Sequence, residues 1–139
     1  MSVTFLKRNP FQRILGLCAT PRPADEGGWR YEDGALVLEL ARLPELAPHG
    51  GALRFEGGDL HERVLVIRDE NGTYHAFRNE CTHGKRRLDF VPGTETVQCC
   101  SVGKSTFGLD GSIVHGEPKG PIDVFPVEEK DGRLIVRLG

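Results

Sequence analysis

Residues 81–87 read CTHGKRR, and residues 98–107 read QCCSVGKSTF. Cys81 and His83 are one residue apart, and sixteen residues separate His83 from Cys100. A strand-like run ends just before Cys81 (TYHAFRN), and another ends at Cys100 (TVQCC), so each set falls on a loop at a hairpin tip. Two such loops can bring Cys81, His83 and Cys100 together. Thiolate and imidazole are soft and borderline donors that suit zinc or an iron–sulfur cluster.

The chain of 139 residues has the size of one domain. A formal net charge of −2 gives no electrostatic reason to expect nucleic acid or an anionic membrane as the main partner. Eighteen glycines and nine prolines point to many short elements joined by tight turns, hence to an all-β domain. Near the N-terminus the longest apolar stretch, Ile14 to Ala19, is too short for a signal h-region or a membrane span. No other stretch approaches a span, and a cytoplasmic location is expected. Four cysteines, two of them adjacent, do not make a secreted disulfide framework. In a reducing compartment such residues bind metal or do redox chemistry.

Residues 1–28 are mixed in pattern and include the loop-like TPRPADEGG, which suggests an N-terminal extension docking on the domain that occupies 29–139. Asp33-Gly34 divides WRY from ALVLEL, where Leu36, Leu38 and Leu40 alternate with Val37 and Glu39 as in a strand. LARLPEL allows one short helical turn. ALRFE, RVLVIRD and TYHAFRN are strand-like, with Asn71-Gly72 between the last two as a hairpin signal. Further turns are expected at Asp110-Gly111 and Asp131-Gly132. Short successive antiparallel strands suggest a small sandwich or barrel. Trp29 and Tyr31 are read as core or sheet-face residues, and His49, His61 and His75 as surface residues.

From about Leu40 to the C-terminus the sequence resembles the Rieske [2Fe-2S] domain family. The family's first box, Cys-x-His followed by a glycine and a leucine, is matched by Cys81-Thr82-His83 and Leu88. Its second box is Cys-x-x-His-Gly-x-x-Phe. Counting back from Phe107 puts Cys100 at the cysteine, Gly103 at the histidine and Lys104 at the glycine. The stretch DGSIVHGEPKGPIDVFPVE resembles the family's Asp-Gly turn, proline-rich loop and closing strands. The resemblance implies cluster-type loops at about 79–92 and 98–108, with a proline-rich loop at about 115–122 that contains Pro118 and covers the cluster. It also implies a [2Fe-2S] cofactor, with Cys81 and Cys100 on one iron and His83 on the other.

The chain departs from the pattern at Gly103, which has no side chain to ligate iron, and at Lys85 and Lys104, which stand where the family has glycines. Three readings follow. A cluster is bound with a substitute fourth ligand, Cys99 or His115, and the protein is a non-catalytic one-electron carrier or oxidoreductase subunit. The cluster is lost and the fold serves as a binding or regulatory subunit. Or the thiols of Cys81, Cys99 and Cys100 act themselves, in a disulfide or on another metal. Lys85, Arg86, Arg87 and Lys104 would rim a surface that steers a redox partner with an acidic docking face.

Overall fold

A computed structural model describes residues 20–82, 87–91, 94–99, 105–116 and 120–138. Chain order is β1 (Trp29–Glu32), β2 (Ala35–Glu39), two short 3-10 turns (Leu40–Arg42 and Pro44–Leu46), β3 (Ala52–Gly57), β4 (Leu60–Arg68), β5 (Tyr74–Arg78), β6 (Leu88–Val91), β7 (Thr96–Cys99), β8 (Thr106–Gly108), β9 (Ile113–His115), β10 (Val124–Phe125), β11 (Val127–Lys130) and β12 (Arg133–Arg137). The all-β expectation holds. Among the described residues no helix is long and apolar enough to cross a membrane.

The strands form three four-stranded antiparallel sheets, in the orders β1-β2-β12-β11, β10-β5-β4-β3 and β6-β7-β8-β9. Successive side chains of a strand point to opposite faces, and β4 uses both faces. Val64 and Val66 join Leu36, Leu38, Phe55 and Leu134 in one apolar core. Leu65 and Ile67 join Phe77, Leu88, Phe90, Val97 and Phe107 in a second. The sheet containing β4 is therefore the middle layer, and this stretch of β4 is dry on both sides. This is why VLVI is a continuous apolar run rather than an alternating one. All four of these side chains are fully buried, and each burial contributes about 1.5–3 kcal/mol.

Local chemistry sets the turns. Asp33 and Gly34 have φ of 50° and 77°, and Asp131 and Gly132 have φ of 53° and 77°. Both residues of a type I′ hairpin need positive φ, which Asp tolerates and Gly adopts freely. The expected single helical turn after Glu39 is instead two consecutive 3-10 turns, the second begun by Pro44, and Leu40 belongs to the first of them rather than to β2. Trp29 and Tyr31 pack partly buried against the first core.

The β4–β5 hairpin is fastened at its tip by the buried Asp69. Its Oδ1 accepts from the Asn71 and Thr73 amides, both at 2.9 Å, and its Oδ2 lies 2.8 Å from His75 Nε2. His75 is thus half-buried and partnered, unlike the surface residue expected, while His49 and His61 are exposed. The residues before β1 are also tied down. The Thr20 amide and hydroxyl both donate to the buried Asp89 Oδ1, at 2.8 and 2.6 Å. The Arg54 amide donates to the Pro21 carbonyl at 3.0 Å, and Arg22 Nη2 donates to the Glu56 carbonyl at 2.8 Å. Residues 1–19 of the expected extension, including Cys18, lie outside the described residues.

The His75 bond, followed by the Thr73 and Asn71 amides, holds the Asp69 carboxyl below its ordinary value, against the opposing effect of burial. A depressed folded-state pKa contributes stability that is present above the unfolded value near 3.9 and is lost as pH falls through the folded value. We expect Asp69→Asn to cost about 1–2 kcal/mol at neutral pH. It should also flatten the acid limb of the stability curve, as measured by urea unfolding at a series of pH values. An unchanged acid limb would show that Asp69 does not contribute in this way.

Candidate metal centre

The two motif loops and the proline-rich loop hang from the ends of the middle and third sheets, and short polar contacts close each one at its stem. The first loop leaves β5 at Asn79. The Asn79 amide donates to the Arg63 carbonyl at 2.8 Å, and its side-chain Oδ1 accepts from the Leu88 amide at 2.6 Å. One asparagine therefore joins the entry of the loop to its exit. The second loop is pinched where the Cys99 amide donates to the Ser105 carbonyl at 2.7 Å. The third follows β9, whose His115 is the register partner of Thr106.

Two contacts bring the stems together. The Thr82 hydroxyl lies 2.6 Å from the Gly120 carbonyl and accepts from the Gly120 amide at 3.3 Å, fastening the first loop to the third. Gly116, at φ +91°, lies so close to Ser105 that a Cβ there would stand 2.9 Å from the Ser105 Cα. The third loop thus meets the exit of the second at backbone distance, and only glycine allows that approach.

Among the expected site residues, Cys81 is fully buried at the first loop's stem, in the same apolar core as Leu88, Cys99 and Phe107. Cys99 is 1 % exposed and faces that core together with Val97, two positions before it on β7; its register partner is Leu88. Adjacent residues of a strand point to opposite faces, so Cys99 is directed away from the side on which a continuing strand would carry Cys100. His115 is exposed on β9, the edge strand of the third sheet. His83, Lys85, Cys100, Gly103, Lys104 and Pro118 lie outside the described residues. Arg87, expected on the cationic rim, bonds the buried Glu56 carboxylate through Nε and Nη2 at 3.1 and 2.9 Å, and the same carboxylate also takes Arg54, so the cluster keeps one net positive charge.

The structure adds residues that the sequence motifs do not flag. Asn79 and Thr82 look like a strand-end polar residue and a spacer, since their partners Leu88 and Gly120 are nine and 38 residues away. Asn79 also carries a fit test for a cofactor. It is fully buried, and among the described residues its Nδ2 has no hydrogen-bond partner. An orphaned donor beside a buried cysteine is what a site built around an acceptor group such as thiolate or sulfide leaves behind when that group is removed. The donor set, Cys81, His83 and Cys100 with one position open at Gly103, is chemically suited to an iron–sulfur cluster.

Residues 39–126 match the family model of the Rieske [2Fe-2S] domain. The chloroplastic choline monooxygenase of Arabidopsis thaliana is 35 % identical over 65 residues, which cover 47 % of this chain and 15 % of that protein. The glycine betaine monooxygenase oxygenase subunit of Chromohalobacter salexigens is 32 % identical over 71 residues, covering 50 % of this chain and 16 % of that one. The matched region is therefore a small part of each of these relatives. Among solved structures, the ferredoxin of carbazole 1,9a-dioxygenase from Nocardioides aromaticivorans superposes with a TM-score of 0.60 at 20 % identity, over 74 % of this chain and 95 % of that chain. The quaternary ammonium Rieske monooxygenase CntA in complex with L-carnitine gives 0.55 at 21 % identity, over 68 % and 30 %. Both structural likenesses bear on the fold.

The Thr82 clasp is testable by itself. Thr82→Val keeps the side-chain shape but removes both bonds to Gly120, and we expect a loss of about 1–2 kcal/mol in denaturant unfolding. Hydrogen exchange at the Gly120 amide should accelerate more than exchange in β4. Equal protection of Gly120 in both proteins would mean that the hydroxyl does not fasten the loops.

Proposed function

The chain belongs to the Rieske [2Fe-2S] domain family, and on that premise we propose that it is a cytoplasmic one-electron carrier between protein partners, using a [2Fe-2S] cluster held by Cys81, His83, Cys100 and His115. The observation that carries this reading is the fastening of three loop stems around the buried Cys81, through Thr82–Gly120, Cys99–Ser105 and Gly116–Ser105. When bound, a [2Fe-2S] cluster supplies a single-electron centre whose potential rises with histidine ligation.

The chain's own residues divide the work. Cys81 and Cys100 provide thiolates for one iron, and His83 provides an imidazole for the other. Gly103 offers nothing at the family's second histidine position. His115 is the better substitute, because its register partner Thr106 is three residues beyond Gly103 and it is exposed on an edge strand. Cys99 belongs to the second core, as Cys81 does, but alternation along β7 turns it the same way as Val97 and so away from the side on which a continuing strand would carry Cys100. An imidazole ligand also keeps a second ring nitrogen that can hold a proton, so reduction would be linked to pH. By the family resemblance, Pro118 would lie in a loop that covers the site. Lys85, Arg86, Arg87 and Lys104 would supply the steering charge for an acidic face of a redox partner, with Arg87 oriented by the Glu56 carboxylate that it shares with Arg54.

A cluster-free binding or regulatory subunit is the rival reading, and Gly103 is the residue that favours it. A thiol-redox or other metal site at the same cysteines is the third. Anaerobic purification followed by absorption spectroscopy and assays of iron and acid-labile sulfide separates them. Visible charge-transfer bands with two irons and two sulfides per chain are expected. In His115→Ala those bands and most of the iron should be lost. A colourless, iron-free protein would overturn the carrier reading, and an unchanged His115→Ala spectrum would reject His115 as ligand.

A further inference from the structure

Asn79 is fully buried, and its amide plane has two ends with different fates. Oδ1 is used, accepting from the Leu88 amide at 2.6 Å, whereas Nδ2 has no partner among the described residues. The residue does not drift, since its backbone amide is bonded to the Arg63 carbonyl on β4 at 2.8 Å. An unsatisfied buried amide N–H costs about 1–3 kcal/mol. Asparagine is therefore a poor choice here if closing the loop were its whole task.

Two observations give the direction in which Nδ2 finds its acceptor. Asn79 and Cys81 are fully buried two residues apart, and Glu80 between them is partly exposed. Leu88, which Oδ1 holds, belongs to the same apolar core as Cys81. The orphaned donor thus lies in the stem that carries Cys81, next to a core whose other members are hydrocarbon side chains and Cys99.

We propose that Asn79 is a positioning residue with two arms, its Oδ1 closing the first loop on Leu88 and its Nδ2 donating a hydrogen bond to a sulfur of the [2Fe-2S] cluster on the Cys81 side. This rests on the function proposed above. A donor to thiolate or sulfide stabilises the reduced, more negative state more than the oxidised one, so Asn79 raises the reduction potential. The same side chain couples that potential to loop geometry.

The test uses the full chain with its cluster, labelled with 15N only at the asparagine side-chain amide. Electron–nuclear double resonance on the reduced protein should show one weakly coupled 15N. Asn79→Thr, which keeps an oxygen for the Leu88 amide but has no side-chain N–H₂, should lose that coupling and shift the midpoint potential downward while retaining visible bands and iron. Wild-type protein that is coloured but has no coupled asparagine nitrogen overturns this inference alone, as does Asn79→Thr with the wild-type potential. Colourless, iron-free wild-type protein overturns it together with the carrier reading. If Asn79→Thr does not fold, the wild-type resonance experiment decides.

Discussion

A strand that is dry on both faces has no room in its middle for a metal ligand, because a polar side chain there would be stripped of water without a partner. The Val64–Ile67 stretch of β4 in the middle sheet is in that position. Val64 and Val66 face one core, and Leu65 and Ile67 face the other. Chemistry is consequently displaced to the ends of strands, where loops leave the layers. The layered architecture supplies stiffness, and the motif residues are placed by what holds the loop stems to it.

Those stems are held by a small number of buried polar contacts. Asn79 joins the middle sheet to the first strand of the third, through Arg63 on one side and Leu88 on the other. Glu56 on β3 takes the Arg87 guanidinium at the exit of the first loop. Asp89, one residue past Leu88, takes both donors of Thr20 and so ties the segment before β1 to the strand that follows the first loop. Each partner is buried or half-buried, where a satisfied polar group fixes geometry and an unsatisfied one is expensive.

Much of the fold was legible because it rests on local chemistry. Asp33-Gly34 and Asp131-Gly132 announce two-residue hairpins, since few other pairs accept positive φ at both positions. The run VLVI marks β4 as a strand, although its service to two cores depends on which strands cover it, and no local pattern contains that. The motif spacing of Cys81, His83 and Cys100 pointed to the family later shown by the match over residues 39–126. Asn79, Thr82 and Gly116 were not legible as site residues. Each acts through a partner brought near by the tertiary fold: Leu88, Gly120 and Ser105 respectively. His75 was misread for the same reason, because its partner Asp69 is reached across a hairpin.

The position left open by Gly103 constrains what can replace a histidine there. A substitute must reach the site from a different element without dismantling a core. Cys99 is adjacent to the ligand position Cys100, yet adjacency along a strand is a disadvantage. Turning Cys99 towards the loop would break its alternation with Val97, remove a side chain from the core of Leu88 and Phe107, and disturb the Cys99–Ser105 bond that closes the second loop. His115 carries none of these costs. It is on an edge strand, its ring is exposed, and it precedes Gly116, the glycine that lets the third loop approach Ser105. Donation from His115 keeps a neutral imidazole at the second position, whereas Cys99 would add a thiolate charge in a buried site. The proposed ligand His115 thus sits on the strand that leads into the third loop, next to the glycine whose close contact with Ser105 joins that loop to the end of the second.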